Sequence, residues 1–173
     1  TTQIGNSGTT GSLGSGPVTL NSSLTINRSN ALDLTQPISG FGSILHNGSG
    51  TTTLGASNSF SGNTTVYLGT LVASSLNSHN NGTPALATSS LGAPISPLAA
   101  VIGLGSGSGS GTLRYTGSGE TTDRPINLRG TNGATLDHAG SGLLKFTSNF
   151  QATGASSKTL TLTGSTTASG EIA

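Results

Sequence analysis

The sequence predicts an all-β chain wound as a parallel β-helix, a β-solenoid, and three observations carry that expectation. Short alternating segments, each long enough for one strand, recur at close intervals between Gly- or Asn-rich breaks tight enough for one corner. Glu, Lys, Gln and Met are scarce, and no stretch places apolar residues at i, i+3, i+4 and i+7 for more than about two turns. The large side chains are few: four Phe, two Tyr, no Trp and no Met. A wide antiparallel sandwich needs more. A narrow core of stacked Leu, Ile and Val does not, because each coil roofs its neighbour at ~4.8 Å along the axis.

The strands follow in order. Val18-Thr19-Leu20, Leu24-Thr25-Ile26, Ala31–Leu34, Ser43-Ile44-Leu45, Thr52-Thr53-Leu54, Thr65-Val66-Tyr67 and Thr70–Ala73 make the first half. Ala100-Val101-Ile102, Thr112–Tyr115, Ile126–Leu128, Ala134–Leu136, Leu143–Phe146 and Thr159–Thr163 make the second. Asn47-Gly48, Asn81-Gly82 and Asn132-Gly133 read either as hairpin turns or as solenoid corners, since Asn and Gly tolerate the left-handed backbone both require. Rungs of roughly 20–25 residues give about seven or eight coils in one domain spanning 1–173. The expected core of the second half is Leu113, Ile126, Leu128, Leu136, Leu144, Phe146, Leu160 and Leu162. Residues 74–97, with Pro84, Pro94 and Pro97, read as an irregular excursion with a helical turn at Ala85–Ser89, because proline cannot donate to a ladder. Gly103–Gly111 reads as a flexible loop.

Composition narrows the class further. Counted along the sequence, 28 Ser and 28 Thr join the 28 Gly to make nearly half of the 173 residues, while charged residues are 6%. A disordered linker is the obvious rival, but such chains combine low hydrophobicity with high net charge. Here the net charge is +1, and a Leu, Ile or Val recurs every few residues. The near-neutral balance gives no footprint for nucleic acid or an anionic membrane. No apolar run approaches the ~18 residues of a membrane span. There is no cysteine, so no disulfide framework. Low charge, abundant Ser and Thr and no cysteine suit a bacterial extracellular surface.

Residues 48–71 carry a more specific pattern. Gly48, Gly50, Leu54, Asn58, Phe60, Gly62, Thr64, Val66, Gly69 and Leu71 fall at spacings that resemble the autotransporter-associated β-strand repeat, or passenger-associated transport repeat. Thr52 stands where that pattern usually has Leu or Trp, and Ala56 where it has Gly. Gln3–Gly5 through Gly16, Ile38–Ser43 and Leu160–Gly164 are similar in part. The resemblance implies a right-handed parallel β-helix within a large secreted passenger or surface protein, with structural repeats and no catalytic residues to transfer. Both ends break off in mid-pattern, so a fragment of a longer solenoid and a subunit stacking end to end are both expected readings.

Candidate sites are sparse. The carboxylates are Asp33, Glu120, Asp123, Asp137 and Glu171. Glu120 and Asp123 beside Arg124 suggest a turn ion pair rather than acid/base catalysis. Asp137 and His138 adjoin on a strand and must face opposite ways. His46 and His79 lie near Asn-rich turns, and no three ligands share a metal-binding spacing. Ser108 sits in low-complexity sequence, not in a nucleophile elbow. The sequons at Asn21, Asn27, Asn47, Asn63 and Asn81 are expected to form turns. Thr51/Thr53 and Thr159/Thr161/Thr163 could order water on a flat face, but stacked Thr also stabilises sheets directly. Tyr67 and Tyr115 are the candidates for stacking on a glycan. The expected function is a rigid, non-enzymatic extracellular spacer or fibre element without a catalytic site, metal or cofactor. An adhesin or glycan-binding module is the first alternative, and a polysaccharide-cleaving enzyme the second. The expected partners are the chain's own continuation or a further copy, and a glycan or cell-surface ligand.

Overall fold

The structure is a computed structural model that describes residues 1–165, 167 and 169–173. Strands are numbered along the chain. One sheet stacks seven of them: β1 (Thr2–Gly8), β3 (Leu24–Arg28), β6 (Ile44–His46), β8 (Thr64–Val66), β10 (Ile102–Leu104), β13 (Ile126–Leu128) and β16 (Gln151–Ala152). A second sheet stacks β4 (Leu32–Leu34), β7 (Thr51–Leu54), β9 (Gly69–Ala73), β11 (Gly111–Tyr115), β14 (Ala134–His138) and β17 (Leu160–Gly164). The third face holds two shorter stacks, β2 (Val18–Leu20) with β5 (Ile38–Gly40), and β12 (Glu120–Thr122) with β15 (Leu144–Phe146) and β18 (Gly170–Ile172). Every pairing between these strands is parallel. The chain therefore visits the faces in turn and makes seven coils, as the punctuated strand pattern predicts.

The register shows why short strands suffice. Leu24, Ile44, Thr64, Ile102 and Ile126 form one inward file, and Ile4, Ile26, His46, Val66, Leu104 and Leu128 the next. Across the core, Leu32, Thr52, Leu71, Leu113, Leu136 and Leu162 line up in the second sheet. Files of like side chains at one strand spacing bury each other's faces, so no single coil needs a wide apolar surface. Seven of the eight expected second-half core residues pack as proposed: Leu160 is partly buried and the other six are buried. Leu162 is the exception, exposed at 62% because it lies in the last layer, with no coil above it.

Corners, not hairpins, occupy the Asn-Gly breaks. At Asn47-Gly48 both backbone N–H groups donate to the Ile26 carbonyl of the preceding coil. A methyl group on Gly48 would run into the Arg28 carbonyl, so this close approach excludes a side chain. Two local expectations are corrected. The helical turn is not at Ala85–Ser89 but at Pro97–Ala100, where Ser96 Oγ caps the Ala99 N–H and Pro97 opens the turn, with a 3-10 turn at Asn80–Gly82. Gly103–Gly111 is not one loop: its ends belong to β10 and β11, and Ser106 and Gly109 pair across a tight turn between them. Parallel neighbours at Thr65 and Asn127 recruit Gly103 into the ladder despite its composition.

Candidate functional site

The coil spacing marks where the fold departs from a plain rod. An ordinary coil runs from Ile44 to its neighbour Thr64, whereas the next, from Thr64 to its partner Ile102, is nearly twice as long. The extra chain is the excursion that leaves β9 after Ala73 and returns through the Pro97–Ala100 turn. Two buried asparagines hold it. Asn77, in the left-handed region at φ 69°, donates from Nδ2 to the Leu86 and Gly92 carbonyls (2.8 and 3.1 Å) and accepts through Oδ1 from the Ser78 and Leu86 N–H groups (2.9 Å each). Asn58 accepts from the Ile38 N–H (2.9 Å) and donates to the Ser90 carbonyl (2.7 Å), tying the excursion to the coil below.

Glu120–Arg124 forms the dock on the other side. The Glu120 carboxylate accepts from the Leu76 and Asn77 N–H groups (2.6 and 3.1 Å), and Asp123 from those of His79 and Asn80 (2.7 and 2.8 Å). Thr122 Oγ1 donates to the Asn77 carbonyl at 2.6 Å. Arg124 is fully buried and donates to three carbonyls, Ala100 from Nε at 2.8 Å and Leu76 and Leu91 from Nη1 at 2.9 Å each. The expected turn ion pair is thus replaced by something else. The carboxylates take excursion N–H groups and the guanidinium takes excursion carbonyls, so one short segment satisfies both polarities of a non-repetitive backbone. Burial pulls the Arg124 pKa from its usual 12.5 to about 9, against the nearby Glu120 and Asp123 charges. Burial likewise raises Glu120, opposed by its two backbone donors and Arg124.

The other candidates are dispersed. Tyr115 is buried at 2% exposure, its ring edge-on to His138 at 5.6 Å and its hydroxyl accepting from the Gly119 N–H at 3.0 Å. It therefore offers no open face to a sugar, because its strand position points it inward. Tyr67 is half-buried at a corner after β8. Asp137 and His138 do face opposite ways. Asp137 meets Arg114 of the adjacent strand at 2.5 Å outside, while His138 lies inside with Nε2 on the Gly142 carbonyl at 2.8 Å. His46 is buried, donating from Nδ1 to the Leu68 carbonyl (2.7 Å) and accepting at Nε2 from Thr52 (3.1 Å). Desolvation lowers its pKa. Thr52, the departure from the repeat pattern, is thus the partner of a buried histidine. His79 lies 3.9 Å from Asp123. Among the described residues no group of three His, Cys, Asp or Glu side chains could hold a metal ion.

The threonines form one file rather than a plane. Thr51, Thr70, Thr112, Thr135 and Thr161 stack in register along the second sheet. Two residues on, the matching file reads Thr53, Val72, Arg114, Asp137 and Thr163, and the ion pair interrupts it. That favours ladder packing over an ordered water surface. The sequence points to the excursion through its prolines but not to its dock, since Glu120–Arg124 lies two strands further along the chain, beyond β10 and β11, from the backbone it binds.

A solenoid carrying one docked excursion, with its charged cluster at Glu120–Arg124 bound to backbone, defines a class of repeat scaffold. Comparison with known proteins then gives a relative: the chain is 35% identical over 168 residues to the adhesin BmaC autotransporter of Brucella suis biovar 1 (strain 1330). The match takes in 94% of this chain and 5% of that protein, so the chain spans about one twentieth of its relative's length. No protein-family model matches the chain, and no solved structure does.

Proposed function

We propose that this chain is a passenger segment of a bacterial surface adhesin, exposed outside the cell, whose own role is mechanical: a rigid, non-enzymatic spacer. The observation that carries the reading is the first sheet, whose parallel pairings stack without a break through seven strands, in a chain of which 94% matches an adhesin autotransporter. Backbone bonds run along the axis from coil to coil, so extension loads the ladders together, and the outward Ser, Thr and Asn keep the rod hydrated. Four of the five carboxylates support a non-enzymatic role, because Glu120 and Asp123 bind backbone, while Asp137 and Glu171 pair with Arg114 and Lys145. The uncovered apolar layer at Leu162 and Ile172 is proposed to receive another coil, from the same chain or a further copy.

Beads coated with the purified chain test the division of labour. A pure spacer resists protease and leaves beads non-adherent to host cells. Adhering beads move the role to the second reading, an adhesive module, which the groove described next favours. Turnover of a polysaccharide by the chain would overturn both.

A further inference from the structure

We propose that the groove between the excursion and the third face binds a neutral glycan, with Phe41 as its stacking platform. This inference deepens the adhesive reading above and rests on it for its biological setting. Phe41 follows β5 at a corner and is 77% exposed, the most exposed aromatic side chain among the large hydrophobics. It lines a groove of about 470 Å3 with Ser59 and Ser61 of the next coil on one side and Pro84, Ala87 and Ile95 of the excursion on the other. That volume falls within the roughly 300–1,000 Å3 of small-molecule sites. The groove is built rather than incidental. Asn58 pins Ser90 to the coil beside it, and the Phe60 carbonyl receives the Ala93 N–H at 2.9 Å.

The lining chemistry selects the ligand. No lining residue carries a charge, so an ionic group would lose its water without gaining a counter-charge. A purely apolar ligand is disfavoured as well. The Ser59 and Ser61 hydroxyls make no hydrogen bond among the described residues, and each needs a partner once water is displaced. A ligand that is uncharged, rich in hydroxyls and flat enough on one face to lie on an aromatic ring meets all three conditions, and a hexopyranose does so. The ring face, with its negative quadrupole, attracts the C–H groups on that flat face of the sugar. Neighbouring coils add Thr19 and Ser39, whose hydroxyls lie 3.4 Å apart, so the hydroxyl strip continues along the axis.

The test is a glycan array probed with the intact chain, with neutral, sialylated and sulfated members. Selective retention of neutral glycans is expected, reduced at least tenfold in Phe41→Ala, kept in Phe41→Trp, and unchanged in Tyr67→Ala. Circular dichroism checks that each variant keeps its β signal; since Phe41 is on the surface, its replacement leaves the core packing intact. Binding of no neutral glycan, binding only of charged ones, or binding indifferent to Phe41→Ala overturns the proposal. Bead adhesion that survives enzymatic deglycosylation of the host cells but not their protease treatment assigns a protein partner and overturns the glycan, leaving the adhesive reading intact. Glycan binding without bead adhesion overturns the adhesive reading and leaves the groove.

Discussion

Arg124 and His46 occupy the same kind of place, a polar side chain in an apolar core, and the structure answers each differently. Arg124 brings a full charge and meets three carbonyls that no ladder satisfies. Arg124→Ala is expected to destabilise the chain by about 3 kcal/mol or more, since it leaves buried acceptors unpaired; urea unfolding reads this as a lower midpoint. His46 is held with its pKa below 6.5. The unfolded chain therefore takes up a proton at a pH where the folded chain does not, so stability is full above pH 6.5 and falls as pH drops towards the folded value. Glu120 acts oppositely, because its folded pKa lies above 4.5 and its burial favours the folded state at low pH. In a Glu120→Gln background the urea midpoint should fall as pH is lowered from neutrality through the histidine range, and the further change His46→Leu should flatten that slope.

At the scale of the element, the excursion and its dock form one unit. Deleting 75–100 in favour of a short corner removes the backbone that Arg124, Glu120 and Asp123 serve. The deletion is expected to lower stability, and a compensating Arg124→Leu to restore part of it by removing an unpaired buried cation. Non-additivity of the two changes in thermal unfolding is the measurement; strict additivity would sink the dock interpretation. The strand pattern anticipates β9, β11 and β13 closely, because inward Leu and Ile alternate with outward Thr or Asn. It does not anticipate β12, Glu120–Thr122, or β18, Gly170–Ile172, whose sequences lack alternation and become strands by pairing with β15. A parallel partner supplies what propensity lacks.

For the whole molecule, stacking makes stability a sum of neighbour terms rather than one indivisible core. Leu71→Ala in the middle of the stack is expected to cost about 2–5 kcal/mol, whereas Leu162→Ala, exposed in the last layer, should change little. Hydrogen exchange should show the same gradient, with protection highest at β7 and β9 and lowest at β17 and β18. Uniform protection along the axis would contradict a stack of semi-independent coils.

Alternation, Gly and Asn punctuation and the scarcity of large side chains determined by themselves that this protein winds as a parallel solenoid, because periodicity and corner chemistry are local properties. They also placed the excursion, through three prolines. Which polar residues serve it, that Tyr115 turns inward while Phe41 is left outside, and that Ser59 and Ser61 face Ile95 across a groove were decided only by the tertiary structure. Those relations join residues from different coils, Asn58 to the Ile38 backbone and Arg124 to the Leu76 carbonyl, and the coil length that sets them nearly doubles where the excursion intervenes. A register of that kind arises when the coils stack, not within any one of them.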